Sequence, residues 1–108
     1  MRAIVVRQPY ANQIAHGHKT IEYRRFRPLV DLPCSILIVA GKSMAEPGTE
    51  PPYGVALCTV EIVRVEREPQ GGYAWHLSDP RWTVRVPIRG RQGIWWVGGS
   101  QSFRNPII

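Results

Sequence analysis

Apolar positions fall in short runs along the chain, and the spacing within each run predicts its element. Residues 2–7, four apolar positions between two Arg, read as a first strand. Gln8-Pro9 then turns the chain into a short helix reaching about Ala15, with Pro in its first turn and Gly17 placed to end it. Tyr10 and Ile14 lie four apart, and Ala11 and Ile14 three apart, which gives this helix one apolar stripe. Residues 19–24 read as a second strand, in which Ile21 and Tyr23 point one way and Thr20, Glu22 and Arg24 the other. Residues 35–40, Ser-Ile-Leu-Ile-Val-Ala, form an unbroken apolar run between Pro33 and Gly41, as a strand covered on both faces requires.

Pro47, Gly48, Pro51 and Pro52 place an exposed, irregular loop over residues 43–53. A long strand is expected over residues 54–66. Ala56, Cys58, Val60 and Ile62 keep one parity and Val63 and Val65 the other, so a bulge is expected near 62–63. Gly71-Gly72 breaks that strand, residues 73–77 are expected to make no more than a helical turn, and Asp79-Pro80 reads as a turn. Val84, Val86 and Ile88 alternate with Arg85, Pro87 and Arg89 in what reads as an edge strand, because proline cannot donate to a ladder. Residues 93–97 complete the sheet, with Trp95 and Trp96 facing opposite ways, one inward and the other exposed. Residues 98–108 form a tail, and no internal repeat is present.

Composition supports this mainly β (α+β) reading, since ten Pro and ten Gly in 108 residues leave little room for long helices. The length fits one domain over residues 1–108 with a single core. The net charge of +6 is unevenly distributed. Residues 1–30 carry six bases against one acid, residues 31–80 three against seven, and residues 81–108 five against none. If the two basic ends meet, as first and last strands of barrels commonly do, they build one positive surface that attracts phosphate. Twelve of the fourteen bases are Arg, whose planar fork suits bidentate phosphate contact and base stacking. No apolar run approaches the roughly 18 residues of a membrane span and the start is unlike a signal peptide, so a cytoplasmic location without membrane attachment is expected. Cys34 and Cys58 lack metal-ligand spacing and read as buried thiols. His16, His18 and His76 likewise form no metal pattern with them, and no metal or cofactor is expected.

Residues 17–24, Gly-His-Lys-Thr-Ile-Glu-Tyr-Arg, match the GxKxxExR signature of the ASCH family, within the PUA-like group. Arg7-Gln8-Pro9-Tyr10-Ala11 resembles that family's strand-to-helix passage, and Ala40-Gly41-Lys42-Ser43 resembles a Ser/Lys turn after its central strand. Trp75-His76-Leu77, Asp79-Pro80-Arg81 and residues 87–95 follow in the family's order, so the resemblance spans about residues 3–97. It implies a PUA-like open β-barrel of about five to six strands with one or two short helices. It also implies a cleft near GxKxxExR that binds RNA, a nucleotide or a modified nucleoside.

Within such a cleft Lys19 and Arg24 are candidate phosphate or carbonyl contacts. Glu22 either accepts from an exocyclic amine or holds the two cations. Thr20 shares the face of Glu22 and Arg24. Gln8, ahead of the helix, is a candidate base-edge reader or a helix cap. Lys42 and Ser43 offer a second phosphate contact. Trp75 and Tyr73 are candidate stacking faces or core residues. The resemblance also supplies an enzymatic alternative, because some small ASCH members are amidohydrolases of acylated cytidine with a Lys, a Thr three residues later and a Glu further on. Lys19 matches that Lys, but Glu22 stands where Thr is expected, so the triad is incomplete. A ribonuclease in which Lys19 and Glu22 are the catalytic pair, and a protein-interaction module using Arg85, Arg89 and Arg91, are the other readings. The ligand's identity and the oligomeric state are not fixed by the sequence.

Overall fold

A computed structural model describes residues 1–44 and 50–97. Six strands and one helix follow in the order β1 (Arg2–Gln8), α1 (Tyr10–Ala15), β2 (Ile21–Arg24), β3 (Cys34–Met44), β4 (Val55–Arg67), β5 (Tyr73–Trp82) and β6 (Trp95–Trp96). They form a single sheet in the order β2-β5-β4-β3-β1-β6. The sheet is mostly antiparallel. Its exception is the β1–β3 pair, which runs parallel with Ile4 opposite Ile38. β6 pairs antiparallel with β1, Arg2 opposite Trp96, so the two basic ends of the described chain meet. The sheet does not close into a barrel, since β2 and β6 remain its two edges.

β3 sits inside this order, and its uninterrupted apolar run is buried on both faces, as its pattern predicts. Ile36, Ile38 and Ala40 pack with Ile4, Val6, Cys58, Val60, Ile62, Trp75 and the Ala11, Ile14 and Ala15 stripe of α1. Leu37 and Val39 pack on the opposite face with Ala3 and Ala56, covered by Val5, Val86, Ile88 and Trp95. Each fully buried large side chain contributes about 1.5–3 kcal/mol. α1 ends in a Schellman motif, because Gly17 at φ 80 lets its own N–H reach Ile14 O and the N–H of His18 reach Gln13 O.

Several elements depart from the sequence reading. Residues 73–77 are extended, and Asp79-Pro80 is a bulge within β5 where a turn was expected. Thr59 opposes Arg81 and Glu61 opposes Ser78, so Asp79 and Pro80 face Val60 alone, and Asp79 takes φ 54 to fit. Pairing with β4 on both sides of the bulge overrides the local turn signal, and residues 73–76 are held extended between β4 and β2. The bulge expected near 62–63 is present, as Val63 is the unmatched residue between the Ile62–Leu77 and Arg64–His76 pairs. Residues 84–88 are not a strand, since their one ladder contact is the isolated Val55–Pro87 bridge. The segment still follows the end of β4, with Ala56 N–H donating to Val86 O and Ile88 N–H to Gly54 O. Lys42 and Ser43 lie within β3, which continues to Met44, and make no turn there. Part of the expected 43–53 loop, and the 98–108 tail, fall outside the described residues.

Candidate nucleic-acid interface

The GxKxxExR segment builds a compact ion cluster. Glu22 and Arg24 point to the same side of β2, and Glu22 is buried while exposed Tyr23 points the other way. Glu22 Oε2 accepts from Arg24 Nε at 2.8 Å, and its Oε1 lies 3.5 Å from Lys19 Nζ. Lys19 Nζ also donates to Ile21 O at 2.5 Å and sits 5.7 Å from the ring centres of both Tyr10 and Tyr23. Arg24 Nη2 donates to Val5 O on β1 at 2.6 Å. A carboxylate held between two cations neutralises part of their charge and fixes their positions. Of the two roles read for Glu22, this geometry favours holding Lys19 and Arg24.

These residues line an open hollow of about 470 Å³ together with Val5, Arg7, Tyr10, Tyr23 and Phe26. Thr20 does not join them. It lies before β2 begins, is exposed, and lines a second hollow with Lys19, Gly17, Ser78 and Pro80, away from Glu22 and Arg24.

Gln8 is fully buried, and its amide is engaged on both atoms. Oε1 accepts from Asn12 N–H at 3.0 Å, while Nε2 donates to Asn12 Oδ1 at 3.0 Å and Pro52 O at 2.9 Å. It therefore caps the third residue of α1 from one position before Pro9, which has no side-chain donor or acceptor to do so. The base-edge role is corrected to this structural one. Trp75 is corrected as well, because its 0% exposure removes it as a stacking face. Its indole N–H donates to Phe26 O at 3.3 Å, and the two rings meet edge to face at 6.3 Å.

The largest cationic feature lies beside the GxKxxExR hollow. A cleft of about 730 Å³ is lined by Arg7, Arg24, Lys42, Arg89 and Arg91, with Gly41, Gly54, Gly90 and Gly93 among its backbone walls. Among the described residues no carboxylate lines it. Arg7 comes from β1, Lys42 from its parallel neighbour β3, Arg24 from β2 across the open side of the sheet, and Arg89 and Arg91 from the segment leading to β6. Gly90 lets that segment approach β1, since a Cβ there would lie 2.8 Å from Val5 Cγ2. Lys42 is exposed and lies in this cleft, whereas the side chain of Ser43 is not among those described. Sequence reasoning placed Arg89 and Arg91 on a protein-binding edge and gave Arg7 no role. The signal that groups them is the basic charge of both chain ends.

The model of the ASCH domain matches residues 4–80. No curated protein matches the sequence. Among solved structures, the ASCH protein from Zymomonas mobilis superimposes with a TM-score of 0.69 at 16% identity, covering 90% of this chain and 87% of that one. A Tyr-to-Phe variant of the Zymomonas protein gives 0.69 and a Ser-to-Ala variant 0.68, both at 16% identity over 90% of this chain. The structures share the fold, and the sequence match covers most of the chain. This chain belongs to the ASCH domain family, with its PUA-like fold.

Proposed function

We propose that the protein binds RNA or a nucleotide by holding phosphate groups in the cleft lined by Arg7, Arg24, Lys42, Arg89 and Arg91. The observation that carries this reading is the convergence of five cations, four of them Arg, on one cleft that no carboxylate among the described residues lines. A concave surface of one sign concentrates anions, and the Arg fork matches phosphate geometry. The neighbouring Glu22 supports the arrangement by fixing Arg24 without facing the cleft itself. With Lys19 paired to Glu22, which stands where the amidohydrolase triad has Thr, the geometry favours binding over acyl-cytidine hydrolysis.

Anisotropy titrations of a labelled single-stranded RNA across a salt series test this reading. Affinity is expected to fall with added salt as condensed counterions are released. Replacing Arg89 and Arg91 by Glu is expected to weaken binding and flatten the salt slope by about 0.7 for each phosphate that is no longer neutralised. Arg85→Glu, a change of the same sign outside the cleft, is expected to do much less. Salt-independent binding, or equal losses in both variants, would refute the assignment.

A further inference from the structure

The cationic cleft borders a basin of different chemistry. Phe26 lines both the Lys19–Glu22–Arg24 hollow and a basin of about 610 Å³ bounded by Arg2, Leu29, Ile94, Trp95 and Trp96. Phe26 is thus the wall between hollow and basin, and it lies against Gly93 at the margin of the cationic cleft, where a Cβ built on Gly93 would be 3.8 Å from Phe26 Cζ. Trp75 fixes it from beneath through the hydrogen bond to its carbonyl and the edge-to-face ring contact.

Three large apolar side chains around this basin are solvent-exposed: Phe26 at 48%, Leu29 at 94% and Trp96 at 65%. Such clustering at one concave place marks a binding surface. Among the described residues the basin carries charge of one sign only, since Arg2 holds its guanidinium 4.7 Å from the Trp96 ring centre, Arg27 lines the wall, and no carboxylate does. Its volume falls in the roughly 300–1,000 Å³ range of small-ligand clefts. Aromatic faces beside a cationic groove are what single-strand binders use, since every base has a π-face and the groove tracks the backbone.

We infer that this basin is a nucleobase subsite, in which an unpaired base of single-stranded RNA stacks on the aromatic wall of Phe26 and Trp96. The inference rests on the phosphate-binding reading above and adds the class of strand. A base within a duplex is already paired and stacked, so only an unpaired one presents its face to this wall. The stacking role that the sequence suggested for Trp75 passes to Phe26, which Trp75 positions.

Full-length protein is titrated with a single-stranded RNA and with an abasic strand of equal length and phosphate count. The RNA is expected to bind roughly five- to a hundredfold more tightly. Trp96→Ala should remove most of that ratio and leave the salt slope of the abasic strand unchanged. Trp96→Phe should retain the ratio because a ring remains, and it should lose part of the quenching of tryptophan emission that RNA causes in the parent. Because Trp96 is exposed at the sheet edge, circular dichroism of both variants verifies the fold. Equal affinity for the two strands, or an equal loss of both in Trp96→Ala, overturns the base subsite while leaving phosphate binding intact. Failure of both strands to bind even at low salt overturns phosphate binding, and the subsite with it.

Discussion

Arg24, on the edge strand β2, donates to the main-chain carbonyl of Val5, on β1, at 2.6 Å although β5, β4 and β3 separate the two strands in the sheet. The sheet is therefore curled until its edge comes within one side chain's reach of β1, and a guanidinium spans the side that no ladder closes. The same guanidinium binds Glu22 and lines the cationic cleft. Architecture and candidate chemistry meet in one residue.

Replacing Arg24 should therefore affect stability and binding together. Arg24→Lys keeps the charge, but one ammonium on a flexible stem cannot reproduce a planar fork that reaches both Glu22 and Val5. A loss of about 1–3 kcal/mol is expected for Lys and at least as much for Ala, because Glu22 and the Val5 carbonyl each lose a partner. Urea denaturation measures it. A Lys variant with an unchanged midpoint would show that the span contributes nothing to stability.

Gln8 gives a sharper division between structural and ligand-reading roles. Removing its side chain in Gln8→Ala deprives Asn12 N–H and Pro52 O of partners in a buried place, at an expected cost of about 1–3 kcal/mol in unfolding free energy. RNA affinity, measured well below the melting transition, is expected to be unchanged. Loss of affinity at unchanged stability would return Gln8 to the ligand.

Cys58 carries the pH prediction. Burial pushes its thiol up from 9.0 to about 12. The unfolded chain releases that proton above about pH 9 while the folded chain keeps it, so stability falls as pH rises from about 9 towards 12. The fall should approach about 1.4 kcal/mol per pH unit within that window. Below it the thiol contributes no slope. Comparing denaturation curves of the parent and Cys58→Ala isolates this contribution from Tyr and Lys titration, and identical slopes would refute it. The native thiol should also resist alkylation near pH 8 until the protein unfolds.

Much of this molecule was legible in the sequence where the signal was local. The 35–40 run announced a doubly covered strand, the parity change at Val63 announced a bulge, and Gly17 announced the helix end. Signals depending on neighbours misled. Asp79-Pro80 has the composition of a turn, yet pairing of Ser78 and Arg81 with β4 holds it as a bulge. Residues 84–88 have the alternation of a strand, yet they reach the ladder only at Pro87. For the site, GxKxxExR grouped Lys19, Glu22 and Arg24 as the structure does, whereas Thr20 shares a hollow with Lys19 but not with Glu22 and Arg24. Arg7, Lys42, Arg89 and Arg91 are far apart in sequence, and only the parallel β1–β3 pairing and the approach of Gly90 to Val5 bring them together. Gln8 and Trp75 each carried a ligand reading and a structural one, and their burial, which residue type alone does not report, decides for the structural one.

The position of β1 between β3 and β6 bears on how the molecule is made. Of the strands described, β1 is the first to be synthesised, yet one flank must wait for β3 and the other for Trp95 and Trp96. Until residues 88–96 have been made, Val5 lacks the cover of Ile88 and Gly90, and the cleft lacks Arg89 and Arg91. A nascent or truncated chain ending before Arg89 would carry the GxKxxExR cluster without the opposite wall. The five-cation cleft is thus complete only once the segment leading to β6 has joined the sheet, and anion binding proposed for it should report on completion of the whole sheet.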